Sequence, residues 1–316
     1  MNIESAISRR LFLLGLLLFP LILLATLPLY APGYTPVLLS NIFMYVILAV
    51  GWTIFSGPTG YISLTPAAFF GVGIYTSAIL GMALPLPVVI LIGGLASFCL
   101  ALLVGALTLR LRGIYFAIFT FGLVMLIAHL LLFWEINVTG TRGRFVVLES
   151  IDMVYYTILA IFVATMLTAY LIRRSRFGLA LRSIGEDEEA AAHMGVNVTM
   201  VKVVTFAISA IFMGAAGAIM ATRWTYIDPF IAFNLNYSFM PVLMAIFGGM
   251  GQLYGPVIGA AVFAYLEEFL ITRLPELYMV IFGIILVIAI LYLPNGLVGL
   301  IQKLWKRVSG VQHANT

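Results

Sequence analysis

The amino-acid sequence predicts an all-α fold: a polytopic membrane helix bundle of about ten transmembrane segments, within a range of eight to ten, some of them broken or short, with both termini cytoplasmic. Three observations predict it. Of 316 residues, 63% are hydrophobic and 9% are charged, where a soluble domain carries about a quarter charged residues. The apolar residues fall in stretches long enough to cross about 30 Å of hydrocarbon. The basic residues gather at the ends of alternate stretches, as they do in cytoplasmic loops.

In chain order, apolar stretches occur at roughly 11 to 30, 37 to 56, 64 to 80, 86 to 109, 114 to 134, 154 to 172 and 203 to 222. Ser8, Arg9 and Arg10 before Leu11 to Leu29 resemble a signal sequence, but the run is too long and lacks a small-residue cleavage site, so an uncleaved first span is expected. Three further stretches, at 239 to 249, 256 to 270 and 277 to 293, are shorter and interrupted by Gly and Pro. Such broken helices are tolerated where they line a cavity or are buried in protein.

Ten spans with both termini inside place Arg9, Arg10, Arg110, Arg112, Arg173, Arg174, Arg176, Arg182, Lys202, Lys303, Lys306 and Arg307 in the cytoplasm, twelve of the sixteen basic residues. Arg142, Arg144, Arg223 and Arg273 fall outside, among the external acids Glu135, Glu149, Asp152, Asp228 and Glu276. Shifting the topology by one span reverses the bias.

Several function classes drop out. The net charge of +4 is distributed at span ends, so no nucleic-acid partner is expected. The single cysteine, Cys99, lies in an apolar run and reads as a small core residue. No phosphate-binding G-x-x-x-x-G-K-[ST] or zinc-binding H-E-x-x-H occurs, and His129, His193 and His313 are far apart. The expectation is no catalytic residue, no metal site and no nucleotide cofactor in this chain. Glu135, Glu267 and Glu268 lie near span ends; Glu267 and Glu268 read as solvated, the alternative being an ion or proton site, and His129 reads as neutral and bonded to a neighbouring helix.

Three features stand out. The first is the polar interval IRRSRFGLALRSIGEDEEAAAHMGVNVTMVK, Ile172 to Lys202. Ser183 with Glu186 predicts a capping box, Glu186 to Glu189 set negative charge at the positive helix end, and Gly195 supplies a stop. A rigid helix of roughly 15 Å is expected, with Ala190, Ala191 and Met194 on one face and Glu186, Glu189 and His193 on another. The second is GPTGYISLTPAAFFGVGIY, Gly57 to Tyr75, where Tyr61, Ser63, Thr65, Pro66 and Phe69 mark irregular backbone at the start of a span. Such backbone is either packed in protein or faces a water-filled path, which makes it the candidate solute pathway. The third is the ladder Gly251, Gly255 and Gly259, which permits close helix approach in lipid. With no linker or second domain, 1–316 reads as a single transmembrane domain with a cytoplasmic loop at about 173–202.

Taken together, these residues resemble a known family. Glu189, Ala190, Ala191 and Gly195 are similar to the E-A-A-x-x-x-G motif of ATP-binding cassette (ABC) importer permeases. LRLRGIYFAIFTFG at 109 to 122, GEDEEAAAHMGVNV at 185 to 198, GGMGQLYGPVIGA at 248 to 260 and LPNGLVGL at 293 to 300 extend the resemblance to branched-chain amino acid permeases of the LivM type. The resemblance implies a permease of the bacterial inner membrane, partnered by a second homologous permease, two cytoplasmic ABC ATPases that bind ATP and Mg, and a periplasmic solute-binding protein. It implies that Glu188, Glu189, Ala190, Ala191 and Gly195 dock on the ATPase. The family commonly has S-L-G-H-A-A-F-F where this chain has Ser63, Leu64, Thr65, Pro66, Ala67, Ala68, Phe69 and Phe70, so branched-chain amino acids are one of several implied small polar or organic solutes. The alternative is an ion-coupled secondary transporter, which requires ionisable residues at mid-membrane depth.

Overall fold

The computed structural model describes residues 22–31, 33–111, 113–292 and 296–299. Most of the first expected span, the basic residues Arg9, Arg10, Arg112, Lys303, Lys306 and Arg307, His313, and parts of 293–300 lie outside the described residues. The described chain is an all-α membrane bundle with seven helices long and apolar enough to cross a bilayer. The helices are α1 (22–30), α2 (Tyr34–Thr59), α3 (Pro66–Leu80), α4 (Leu86–Thr108), α5 (Ile114–Trp134), α6 (Ile151–Arg174), α7 (Arg176–Glu186), α8 (Glu188–His193), α9 (Val198–Ala221), α10 (Pro229–Ala232), α11 (Asn236–Gly248), α12 (Tyr254–Arg273) and α13 (Tyr278–Tyr292).

The expected 64–80 span is the 15-residue α3, shorter than the other crossings. Pro66 opens it, where a missing N–H is harmless. The 239–249 stretch is longer than expected, because α10 and α11 together run from Pro229 to Gly248 with a break between them. Past Trp134, α5 continues as a π-turn, Glu135–Thr139.

The core forms around α2 and α9. Lipid offers no hydrophobic drive for helix association, so small residues that let backbones approach do the packing. A Cβ on Gly73 of α3 would lie 1.9 Å from the Gly214 carbonyl oxygen of α9, and one on Gly217 would lie 2.0 Å from the Phe70 carbonyl oxygen. Only glycine permits this crossing. The glycine ladder divides: Gly255 and Gly259 lie in an internal contact with α11, where a Cβ on Gly259 would meet the Met244 carbonyl oxygen at 2.1 Å. Gly251 instead sits in the turn before α12 with nothing within 4 Å of its Cβ position.

Several polar residues depart from expectation. Glu135, expected among the acids of the external loops, is fully buried. Its carboxylate accepts from the Tyr75 hydroxyl (3.2 Å) and the Gly143 amide (2.9 Å), and it pairs with Arg144 at 3.6 Å. The two-residue ladder β1 (Arg144–Phe145) with β2 (Tyr226–Ile227) holds that loop in place, which accounts for the burial. Glu268 accepts from the Tyr34 hydroxyl at 2.6 Å, and Glu267 is bonded to Tyr45, so both are tied into the bundle. His129 bonds the Met125 carbonyl of its own helix at 2.8 Å, not a neighbouring helix. Cys99 is exposed on α4 rather than a core residue, since α4 turns its small Gly93, Gly94 and Ser97 inward instead.

Candidate functional site

The polar interval folds into two short helices at one end of the bundle. Helix α7 buries Gly178, Leu181 and Ile184, one per turn, against the ends of the spans. This apolar side carries the helix through Ser183, so the expected capping box does not form: Ser183 Oγ donates to the Ala180 carbonyl at 2.9 Å within α7. The cap is Asp187, in extended conformation, whose Oδ1 accepts from the Glu189 amide (2.9 Å) and the Ala190 amide (3.0 Å). A carboxylate here also meets the positive end of the helix.

Helix α8 is therefore six residues and roughly 9 Å long, shorter than expected. Gly195 ends it with φ +85°, its amide bonding the Ala192 carbonyl while Val196 bonds the Ala191 carbonyl, both near 3.0 Å. That pair of bonds is the left-handed glycine stop that the sequence predicts. Of the expected apolar face, Ala191 is buried, while Ala190 and Met194 are exposed alongside Glu189 and His193.

Glu188 turns the other way, toward the bundle. Its Oε1 is 2.7 Å from Nζ of Lys202 on α9, and its Oε2 accepts from the Tyr61 hydroxyl at 2.7 Å. Lys202 Nζ also donates to the Leu109 carbonyl (3.0 Å) and the Tyr61 hydroxyl (3.2 Å), and lies 4.7 Å from the Tyr61 ring centroid. Lys202 is 2% exposed, and these three acceptors match the three donors of an ammonium. The Leu109 carbonyl is an orphan acceptor at the end of α4, where a cation is favoured. One buried cation thus joins α8, α9, the end of α4 and the linker between α2 and α3.

That linker opens the Tyr61 to Phe69 segment, which runs on into the first turn of α3. Ser63, Thr65, Pro66 and Phe69 are buried. Side chains from neighbouring helices bond the segment's backbone at Ser63 and Leu64 and the first turn of α3 at Ala67. Trp52 Nε1 donates to the Ser63 carbonyl (2.8 Å), Thr120 Oγ1 accepts from the Leu64 amide (3.0 Å), and Ser238 Oγ donates to the Leu64 carbonyl (2.7 Å) while accepting from the Ala67 amide (3.1 Å). Ser63 Oγ and Thr65 Oγ1 bond each other at 2.7 Å. Tyr61 is the member that reaches the end carrying α8. Sequence reading places Lys202 only among loop charges; its partner lies fourteen positions away on another helix, and no local pattern marks the pair.

At the opposite end, Arg223 donates to Asn41. Burial is the main influence on this guanidinium and draws its pKa below the ordinary value, against the nearby charge of Glu268.

The family model that this helical membrane bundle matches places it in the class of membrane transport proteins. The chain belongs to the family of branched-chain amino acid transport system permease components, which it matches over residues 36–290. It is similar to the LivM permease proteins of high-affinity branched-chain amino acid transport in Salmonella typhimurium (27% identical) and Escherichia coli (26% identical), in each case over 97% of this chain and 79% of the relative. It is also similar to the Escherichia coli permease LivH, 30% identical over 44% of either chain. The xylose permease XylH of Haemophilus influenzae is 27% identical over 40% of this chain and 35% of its own length. No solved structure gives a significant match.

Proposed function

We propose that this chain is the membrane-spanning permease subunit of an ABC importer in a bacterial inner membrane, with about ten spans and both termini cytoplasmic. Its partners are a second homologous permease, two cytoplasmic ATPases that bind ATP and Mg, and a periplasmic solute-binding protein. The solute is a branched-chain amino acid or a related small polar molecule, as the names of the LivM relatives suggest. ATP closure of the ATPase pair moves α8, and the movement opens a path past the Tyr61 to Phe69 segment.

The observation that carries this reading is the Glu188–Lys202–Tyr61 connection, because a docking helix drives a permease only if it is tied rigidly to the spans. Exposed Glu189 and Ala190, with buried Ala191 and the turn at Gly195, present the docking surface. The test is Glu189→Arg in the assembled complex, reading solute uptake and ATPase rate together. Uptake should fall at least tenfold while the ATPase pair still hydrolyses; unchanged uptake removes α8 from the drive. Uptake by this chain alone in liposomes on a proton or sodium gradient would favour a secondary transporter.

A further inference from the structure

Between the ends of α2 and α6, helix α7 and the α11–α12 turn lies a cavity of about 440 Å³. Ile54 and Leu181 contribute its apolar wall; Arg173, Arg182 and Glu186 contribute its charged side. The two guanidiniums act on each other as like charges. Among the described residues neither has a carboxylate within 4.0 Å. Arg173 donates to the Gly251 carbonyl at 2.5 Å, and Arg182 makes no hydrogen bond among the described residues. Glu186 shares the cavity but lies beyond 4.0 Å of both guanidiniums, so the two cations still repel across it, and an anion between them reverses the sign. Guanidinium forks match phosphate oxygens in particular.

The surroundings indicate where the phosphate comes from. Helix α7 exposes Phe177 (44%) and Leu179 (65%) beside exposed Arg176, and Arg174 lies over the Tyr170 ring at 4.7 Å. Apolar and basic residues exposed together mark a helix lying in the headgroup layer. Basic pockets between spans at the cytoplasmic surface take anionic headgroups. Glu186 narrows the choice. It disfavours a second negative charge but accepts hydrogen bonds from hydroxyl groups, which suits a singly charged phosphodiester with a hydroxylated headgroup.

We propose that Arg173 and Arg182 bind the phosphodiester of an anionic phospholipid such as phosphatidylglycerol, and that the occupied cavity braces α7 and, through Asp187, the docking helix α8. The full chain, reconstituted in nanodiscs of phosphatidylcholine and phosphatidylglycerol, is extracted in mild detergent and its retained lipids are identified by native mass spectrometry. It should retain phosphatidylglycerol selectively. Arg182→Gln removes a side chain with no hydrogen bond among the described residues, so folding is spared, and should weaken retention about fivefold, with Arg182→Lys keeping most of it. Arg173→Gln should weaken it further. Equal retention by wild type and Arg182→Gln overturns the proposal. Displacement of the lipid by millimolar inorganic phosphate overturns the lipid source and assigns the site to soluble phosphate. The readout does not depend on which way the cavity faces or on uptake, so its failure is distinct from failure of the transport reading.

Discussion

Lys202 Nζ lies 2.7 Å from Glu188 Oε1 with the lysine 2% exposed, so α8 is fastened to α9 by an ion pair largely closed to water. Breaking a buried pair from one side costs about 3–5 kcal/mol, because the survivor stays buried without its counter-charge. The two sides differ here: the Lys202 side chain is 3% exposed and that of Glu188 is 20%. Glu188→Gln should therefore destabilise by about 3 kcal/mol and Lys202→Met by less, since Glu188 can still hydrate. Thermal unfolding in detergent measures both. The double variant should be more stable than the sum of the single losses predicts, by at least about 1 kcal/mol. Strict additivity would mean the pair contributes nothing as a pair.

Asp187 is the single break between α7 and α8, and one carboxylate oxygen serves two amides there. Asp187→Ala should cost about 1 kcal/mol and fray α8, while Asp187→Asn should cost only a few tenths. Hydrogen exchange at the Glu189 and Ala190 amides should rise in the alanine variant and stay near wild type in the asparagine variant. In the complex proposed above, Asp187→Ala should lower uptake while the partner ATPases continue to hydrolyse ATP.

The glycine crossings give a graded set. Gly73→Ala and Gly259→Ala each place a methyl group about 2 Å from a carbonyl oxygen of another helix, which backbone must move to admit. Each should lose about 1–3 kcal/mol or fail to assemble. Gly122, in mid α5 with nothing within 4 Å, is the control: Gly122→Ala should stabilise by about 0.5–1 kcal/mol. A similar loss at Gly122 would show that the cost does not come from these close crossings, since helix propensity alone favours alanine at all three positions.

The helix positions were legible because apolar length is a property of the local sequence, and the stop at Gly195 because left-handed backbone there calls for glycine. Features that depend on distant partners were not. Ser183 and Glu186 fit a capping box by spacing, yet Leu181 and Ile184 bury against the spans and extend α7 past it. Glu135 reads as an external acid because its partners, Tyr75, Gly143 and Arg144, come together only when β1 pairs with β2. Gly73 meets Gly214 across 141 positions, so their shared need for glycine leaves no periodic trace in either helix.

One hydroxyl, that of Ser238, bridges the linker between α2 and α3 to the first turn of α3. The Ala67 amide lies in the first turn of α3, where no intrahelical acceptor exists. Ser238 Oγ accepts from it at 3.1 Å and donates to the Leu64 carbonyl at 2.7 Å, while the Leu64 amide is held separately by Thr120. Ser238 is fully buried, so water cannot readily replace it. Ser238→Ala therefore strands one donor and one acceptor, at about 1–3 kcal/mol for each group left unsatisfied. Hydrogen exchange should accelerate at Ala67 and remain slow at Leu64; Thr120→Ala should give the reverse pattern. Both amides accelerating together in either variant would show that the linker opens as one unit, and would shift its support from these two side chains to the helix packing around them.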